Sequence, residues 1–206
     1  MGEAAFFKDD AKKRAAEAVK AVESATSAEV VIAVRRRSGD YRAAAYHFGL
    51  GAMGVVVLWM LVSPKEYSVG SMALDGLVAF VVGALLCWNA SPIRRLLVLR
   101  RTRQTNVDAA GRAAFYDLGI SKTSGRNGIL VFVSTFERAC AVVPDVGVDV
   151  AKLGVGWSSA VAAISAAVAR ADLDATLEAV RTLGPVLGAA MPRQADDVNE
   201  LPDEVQ

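Results

Sequence analysis

Two apolar runs, Phe48 to Val62 and Met72 to Ala90, sit near the middle of this 206-residue chain with only Ser63 to Ser71 between them. A hydrocarbon layer of about 30 Å needs roughly 20 helical residues per crossing. The second run reaches that length, and the first does so when extended to Ala43 to Val62. The extension brings Tyr46 and His47 to one interface and Trp59 to the other, while Trp88 and Asn89 end the second run. Aromatic residues at those levels match the belts of membrane helices. With Pro64 and Gly70 in the short linker, the pattern predicts an antiparallel transmembrane hairpin.

Basic residues orient it. Arg35, Arg36, Arg37 and Arg42 precede the first run, and Arg94, Arg95, Arg100, Arg101 and Arg103 follow the second, whereas the linker carries only Lys65. The positive-inside rule then places both termini and the soluble domain on the cytoplasmic side of the inner membrane, with two spans. Asp75 falls about one turn into the second run, where it can reach the outer headgroups or find a pairing partner. The N-terminus turns into a charged helix and lacks the basic start and apolar core of a signal peptide. Myristoylation at Gly2 is excluded by Phe6 at the sixth position.

The flanking sequence alternates helix and strand. Ala11, Ala15, Ala18, Val19 and Val22 form one face of a helix over Asp9 to Thr26, with Asp9 or Asp10 as its N-cap. The Val/Ile-rich run Glu29 to Arg36 reads as a strand buried on both faces. After Pro92, a basic helix over Ile93 to Arg103, with Leu96, Leu97 and Leu99 among its arginines, suits the anionic inner leaflet. It is expected to merge with an apolar stripe over Val107 to Leu118 that Gly119 ends. Ile129 to Ser134 and Arg138 to Val143 then form a β-hairpin. A short helix over Val148 to Leu153, a longer one over Trp157 to Arg170, and a helix capped by Asp172 and kinked or split in two at Gly184-Pro185 complete the pattern. Residues 193–206, with Asp196, Asp197, Glu200, Asp203 and Glu204, form an acidic tail without periodicity. The organisation is therefore 1–42, the hairpin at 43–91, 92–192, and the tail.

Charge and motif exclude several functions. Lys and Arg number 23 against 22 acidic residues, for a net charge of +1, so no nucleic-acid partner is expected. Cys87 and Cys140 fall in an apolar helix and a strand, as small buried hydrophobes do. The chain lacks a Walker loop, a G-x-G-x-x-G turn, paired metal-spaced cysteines and a G-x-S-x-G elbow. The one histidine lies at a membrane interface. What remains is carboxylates near strand ends: Glu137, Asp145 and Asp149, oxygen ligands of the type that holds calcium or magnesium, although Asp145 is better suited to a turn or to capping the next helix. The glycine-bounded turn Gly125-Arg126-Asn127-Gly128 has the composition of a phosphate loop or of a plain turn entering a strand.

The run from Arg126 to Gly147, RNGILVFVSTFERACAVVPDVG, resembles the signature strand pair of TPM domains, a phosphatase-like family. The helix before residue 26 and the run Thr26 to Val34, TSAEVVIAV, resemble that domain's opening helix and strand, and Asn199 to Asp203, NELPD, resembles the endings of bacterial membrane-bound members. The resemblance implies an α/β fold: a sandwich with a small central sheet flanked by helices, here interrupted by the transmembrane hairpin. Family members are described as acid phosphatases, calcium-binding domains and accessory factors for membrane complexes. It implies Asp145 as the acidic residue within the signature, with Glu137 opening the same strand. The expected function is a membrane-anchored accessory, assembly or partner-binding protein, with the lipid bilayer and a membrane protein as partners. The alternative is a metal-dependent acid phosphatase using Asp145 with Glu137 or Asp149 and calcium or magnesium.

Overall fold

The computed structural model describes residues 2–193; the acidic tail and the NELPD ending lie outside the described residues. The chain divides into two compact units, one built from residues up to Ser38 and from Arg103 onward, the other from Gly39–Thr102.

The first unit is mixed α/β. Its helices are α1 (Asp9–Glu23), α5 (Arg100–Asp117, which begins in the other unit), α6 (Val150–Ala169), α7 (Leu173–Arg181) and α8 (Leu183–Gly188). Its strands are β1 (Glu29–Arg35), β2 (Gly128–Ser134) and β3 (Ala139–Pro144), in the order β1-β2-β3. β1 runs parallel to β2, from Glu29 opposite Gly128 to Arg35 opposite Ser134, and β3 runs antiparallel, from Ile129 opposite Pro144 to Ser134 opposite Ala139.

Successive strand residues point to opposite faces, and here both faces are apolar. Val30, Ile32, Ile129, Val131, Val133 and Cys140 pack with α1, α6, α7 and α8. Val31, Ala33, Leu130, Phe132 and Ala141 pack with Val107, Ala114 and Phe115 of α5. Every residue of β2 is consequently buried. Gly111 lets α5 lie close on its face, because a Cβ there would stand 3.0 Å from that of Ala141. A parallel pair needs a long crossover, usually helical. α5 occupies that place, and the second unit is inserted within the same connection.

That unit holds α2 (Arg42–Val62), α3 (Val69–Asn89) and α4 (Ser91–Leu97). α2 and α3 are joined by a short link in which the Ser68 side chain accepts the Ser71 backbone N–H at 3.1 Å as the N-cap of α3. They meet through small residues: a Cβ on Gly49 would fall 2.7 Å from the Phe80 carbonyl oxygen, and one on Gly83 would fall 2.8 Å from the Cβ of Ala52. Such contacts let helix backbones approach where no aqueous hydrophobic effect drives association. α2, α3 and α6 are each long and apolar enough to cross a membrane, with mean hydropathies of 1.8, 2.0 and 1.3.

Three local expectations are corrected. Lys8, not Asp9 or Asp10, is the N-cap of α1, so both aspartates sit in the first turn and meet the positive helix end without a cap bond. The helix over Ile93 to Arg103 does not run on unbroken: Val98 is extended at φ −94°, ψ 125°, and separates α4 from α5. Ser91 to Thr102 accordingly belong with the hairpin unit. The last helix divides at Thr182 rather than at Gly184-Pro185, and Pro185 falls in the first turn of α8, where its missing N–H costs nothing. The expected short and long helices are both present and meet at a kink at Gly154, which takes φ +56°, as glycine readily does.

Candidate functional site

The antiparallel register of β2 and β3 carries two loops to one end of the sheet. One is Thr123 to Asn127 entering β2, and the other is Asp145 to Val148 leaving β3. The Asp145 N–H donates to the Gly128 carbonyl at 2.8 Å, and the Gly147 N–H donates to that of Arg126 at 2.9 Å. The loops touch so closely that a Cβ on Gly147 would stand 2.5 Å from the Gly125 carbonyl oxygen. Glycine is required there.

At the centre of this junction, Arg126 donates to both carboxylate oxygens of Asp145, Nε to Oδ2 and Nη2 to Oδ1, each at 2.8 Å. The Val146 N–H adds a bond to Oδ1 at 2.7 Å. The Asp145 side chain is 2% exposed and that of Arg126 is 48% exposed, so one partner is buried and the other reaches water. Fork-on-carboxylate geometry is the strong form of a charge-assisted hydrogen bond. Arg126 holds the Asp145 carboxyl below the usual carboxylate range, against the opposing effect of burial. Arg126 itself takes φ +50°, a left-handed conformation that non-glycine residues adopt at a cost. Asn127 Nδ2 donates to the Ser27 carbonyl and ties the turn to the entry of β1.

Asp149 is spent locally: its side chain caps α6 by accepting the Lys152 N–H at 3.3 Å and pairs with Lys152 Nζ at 3.2 Å. Those bonds to Lys152 lower its pKa as well.

Glu137 lies at the other end of the sheet, in the turn between β2 and β3, and is 2% exposed. The six-residue length of β3 sets it roughly 20 Å from Asp145. Its carboxylate accepts the Ser38 N–H at 2.8 Å and the Ser134 hydroxyl. Its backbone carbonyl accepts from Arg103 Nη1 at 3.2 Å. Ser38 is the last residue of the α/β unit before the inserted hairpin, and Arg103 is the first after it. Glu137 therefore binds both chain crossings.

The structure brings Asp145 and Asp149 to one loop and separates Glu137 from them. Among the described residues no three His, Cys, Asp or Glu side chains group as metal ligands. Asp145 gives both oxygens to a guanidinium and Asp149 serves a helix cap, so this donor set does not fit calcium or magnesium in the arrangement seen. Cys87 and Cys140 are buried thiols rather than a disulfide, and burial raises the pKa of Cys140.

The Arg126–Asp145 pair is the feature that residue-by-residue reading misses. Its signal was present, since a turn before one strand and an aspartate directly after its antiparallel neighbour must share a sheet end.

In class, the chain is a mixed α/β protein with a small three-stranded sheet between helical layers. A similar fold occurs in the NMR structure of BA42 protein from the psychrophilic bacterium Bizionia argentinensis sp. nov. The two match at a TM-score of 0.54 with 15% sequence identity, over 96% of this chain and 92% of that one. No family model matches the sequence, and no curated protein matches it.

Proposed function

We propose that this protein is a TPM-like domain held at the cytoplasmic face of the inner membrane by α2 and α3, where it binds a membrane protein as an accessory or assembly factor. The observation that carries this reading is the exterior of the hairpin. Leu50, Val55, Leu58, Leu61 and Val62 of α2 and Leu74, Leu77, Val82, Leu85 and Leu86 of α3 are all exposed. In water these surfaces are a liability; in lipid they are matched. α6 is left out of the membrane in this reading because Trp157, Ile164 and Val168 are buried in the α/β core. The nine arginines on the hairpin's two flanks, against Lys65 in its link, support cytoplasmic termini. Commitment of Asp145 to Arg126 favours a structural role for that carboxylate over phosphoryl chemistry.

Affinity purification from detergent-solubilised membranes tests the partner: a reproducible membrane protein is expected. A failure to recover one, joined to hydrolysis of a generic phosphomonoester that Asp145→Asn abolishes with the fold intact, would replace this reading with the phosphatase. Orientation is checked on Ser68→Cys in sealed cells with a membrane-impermeant thiol reagent. Labelling from outside is expected, and labelling only from the cytoplasmic side would reverse the topology.

A further inference from the structure

The break at Val98 gives the segment after the hairpin a surface of its own. α4 packs back against both α2 and α3 at the end of the hairpin where Tyr46 and Trp88 lie. Those two aromatics, 54% and 45% exposed, mark the level at which an apolar exterior gives way to headgroups. In α4 and the link to α5 the usual order of burial is inverted. Leu96 is 87% exposed and Leu99 is 75% exposed, while Arg94 and Arg95 are half-buried. Arg100 and Arg101 follow directly, and both are exposed. Exposed leucines beside exposed arginines, at headgroup depth, form the pattern of a segment lying in the membrane interface.

We propose that Ser91 to Arg101 is an interfacial anchor for anionic phospholipid: Leu96, Leu97 and Leu99 enter the acyl boundary, and Arg100 and Arg101 engage lipid phosphates. This deepens the membrane reading above and rests on it. An anionic bilayer, rather than a protein groove, fits because the apolar side chains are flanked by cations and carry no acidic residue from Ala90 to Gln104. Arg94 and Arg95 precede the helix break and Arg100 and Arg101 follow it. A continuous helix would wind its arginines around all sides. The extended residue at Val98 lets Leu99 and Arg100 follow α4 in a new direction.

The test uses the full chain carrying Leu99→Cys labelled with a polarity-sensitive fluorophore, the two native thiols being buried. It is reconstituted in vesicles of phosphatidylcholine alone or mixed with phosphatidylglycerol. Emission is expected to shift to the blue as phosphatidylglycerol is added, and to return when salt is raised. Replacing Arg100→Gln and Arg101→Gln should weaken partition of the segment into mixed vesicles by on the order of fivefold per arginine, read as a smaller blue shift at each phosphatidylglycerol content. Lys12→Gln with Lys13→Gln, which removes equal charge from α1, should leave it unchanged. Added inorganic phosphate should not compete at matched ionic strength. The inference is overturned if the fluorophore reports water in both lipids, if the shift ignores phosphatidylglycerol, or if the α1 variant loses it equally. A protein that captures its partner yet keeps Leu99 in water sinks this anchor alone, whereas a hairpin that fails to insert sinks the functional reading.

Discussion

α6 and the α2–α3 pair are nearly matched in length and all strongly apolar, yet they solve opposite problems. α6 turns Leu153, Trp157, Ile164 and Val168 inward against the sheet and its neighbouring helices and shows alanine, serine and glycine outward, apart from Lys152 and Val155. α2 and α3 put glycine and alanine into their mutual contact and turn leucine, valine and tryptophan outward. Apolar content alone thus does not separate a core helix from a candidate span; the side on which the large side chains lie does. A helix with small residues outside has found its apolar partner within the protein, and one with small residues inside still needs a partner.

The contrast is open to measurement, beginning with the core. Phe132→Ala opens a cavity beneath α5 and should cost about 3–5 kcal/mol in the denaturant unfolding of the α/β unit, followed by far-UV circular dichroism. Little loss would mean that α5 does not seal that face of the sheet. Next comes the loop junction: Arg126→Gln leaves the buried Asp145 carboxylate without its cation and should lower the denaturation midpoint, by less than Phe132→Ala does.

The pH dependence of that junction has a definite sign. Because the Asp145 pKa is lowered in the folded state, its contribution is complete above the ordinary carboxylate value and declines as pH falls through the folded one. Stability of the wild type and of Asp145→Asn, measured against pH, should therefore converge below about pH 4. Curves that stay parallel would show that the ion pair contributes nothing.

A smaller effect is expected at the α7 cap, where Asp172 accepts the Ala175 N–H at 3.1 Å; Asp172→Ala should cost about 1 kcal/mol. The smallest belongs to the outward face of α2. Leu58→Ala, in lipid, should change stability by less than about 1 kcal/mol, because lipid can fill the space. A core-sized loss there would place Leu58 in a protein contact.

Much of the fold was legible along the chain. The strands β1, β2 and β3 fall within a residue or so of their expected limits, Gly119 ends its helix with φ +70°, and Asp172 caps α7. These features depend on neighbours a few residues away, so their residue types announce them. The division between α4 and α5 was not announced: Ile93 to Arg103 contains neither glycine nor a proline, and no residue type there marks Val98 as extended.

The candidate carboxylates show the same boundary. Glu137, Asp145 and Asp149 were recognisable as acidic residues at strand ends, but their sequence proximity concealed that β3 carries Glu137 away from the other two. Composition and periodicity alone established the two long apolar helices, the arginine asymmetry around them and the α/β alternation, because each is a local pattern of side-chain chemistry. Chain closure decided the rest: Arg126 reaches Asp145 across 19 positions, and Glu137 meets Ser38 across 99. Such bonds form only when the sheet has set its register, since nothing in a residue's own neighbourhood specifies a partner that distant strands must deliver.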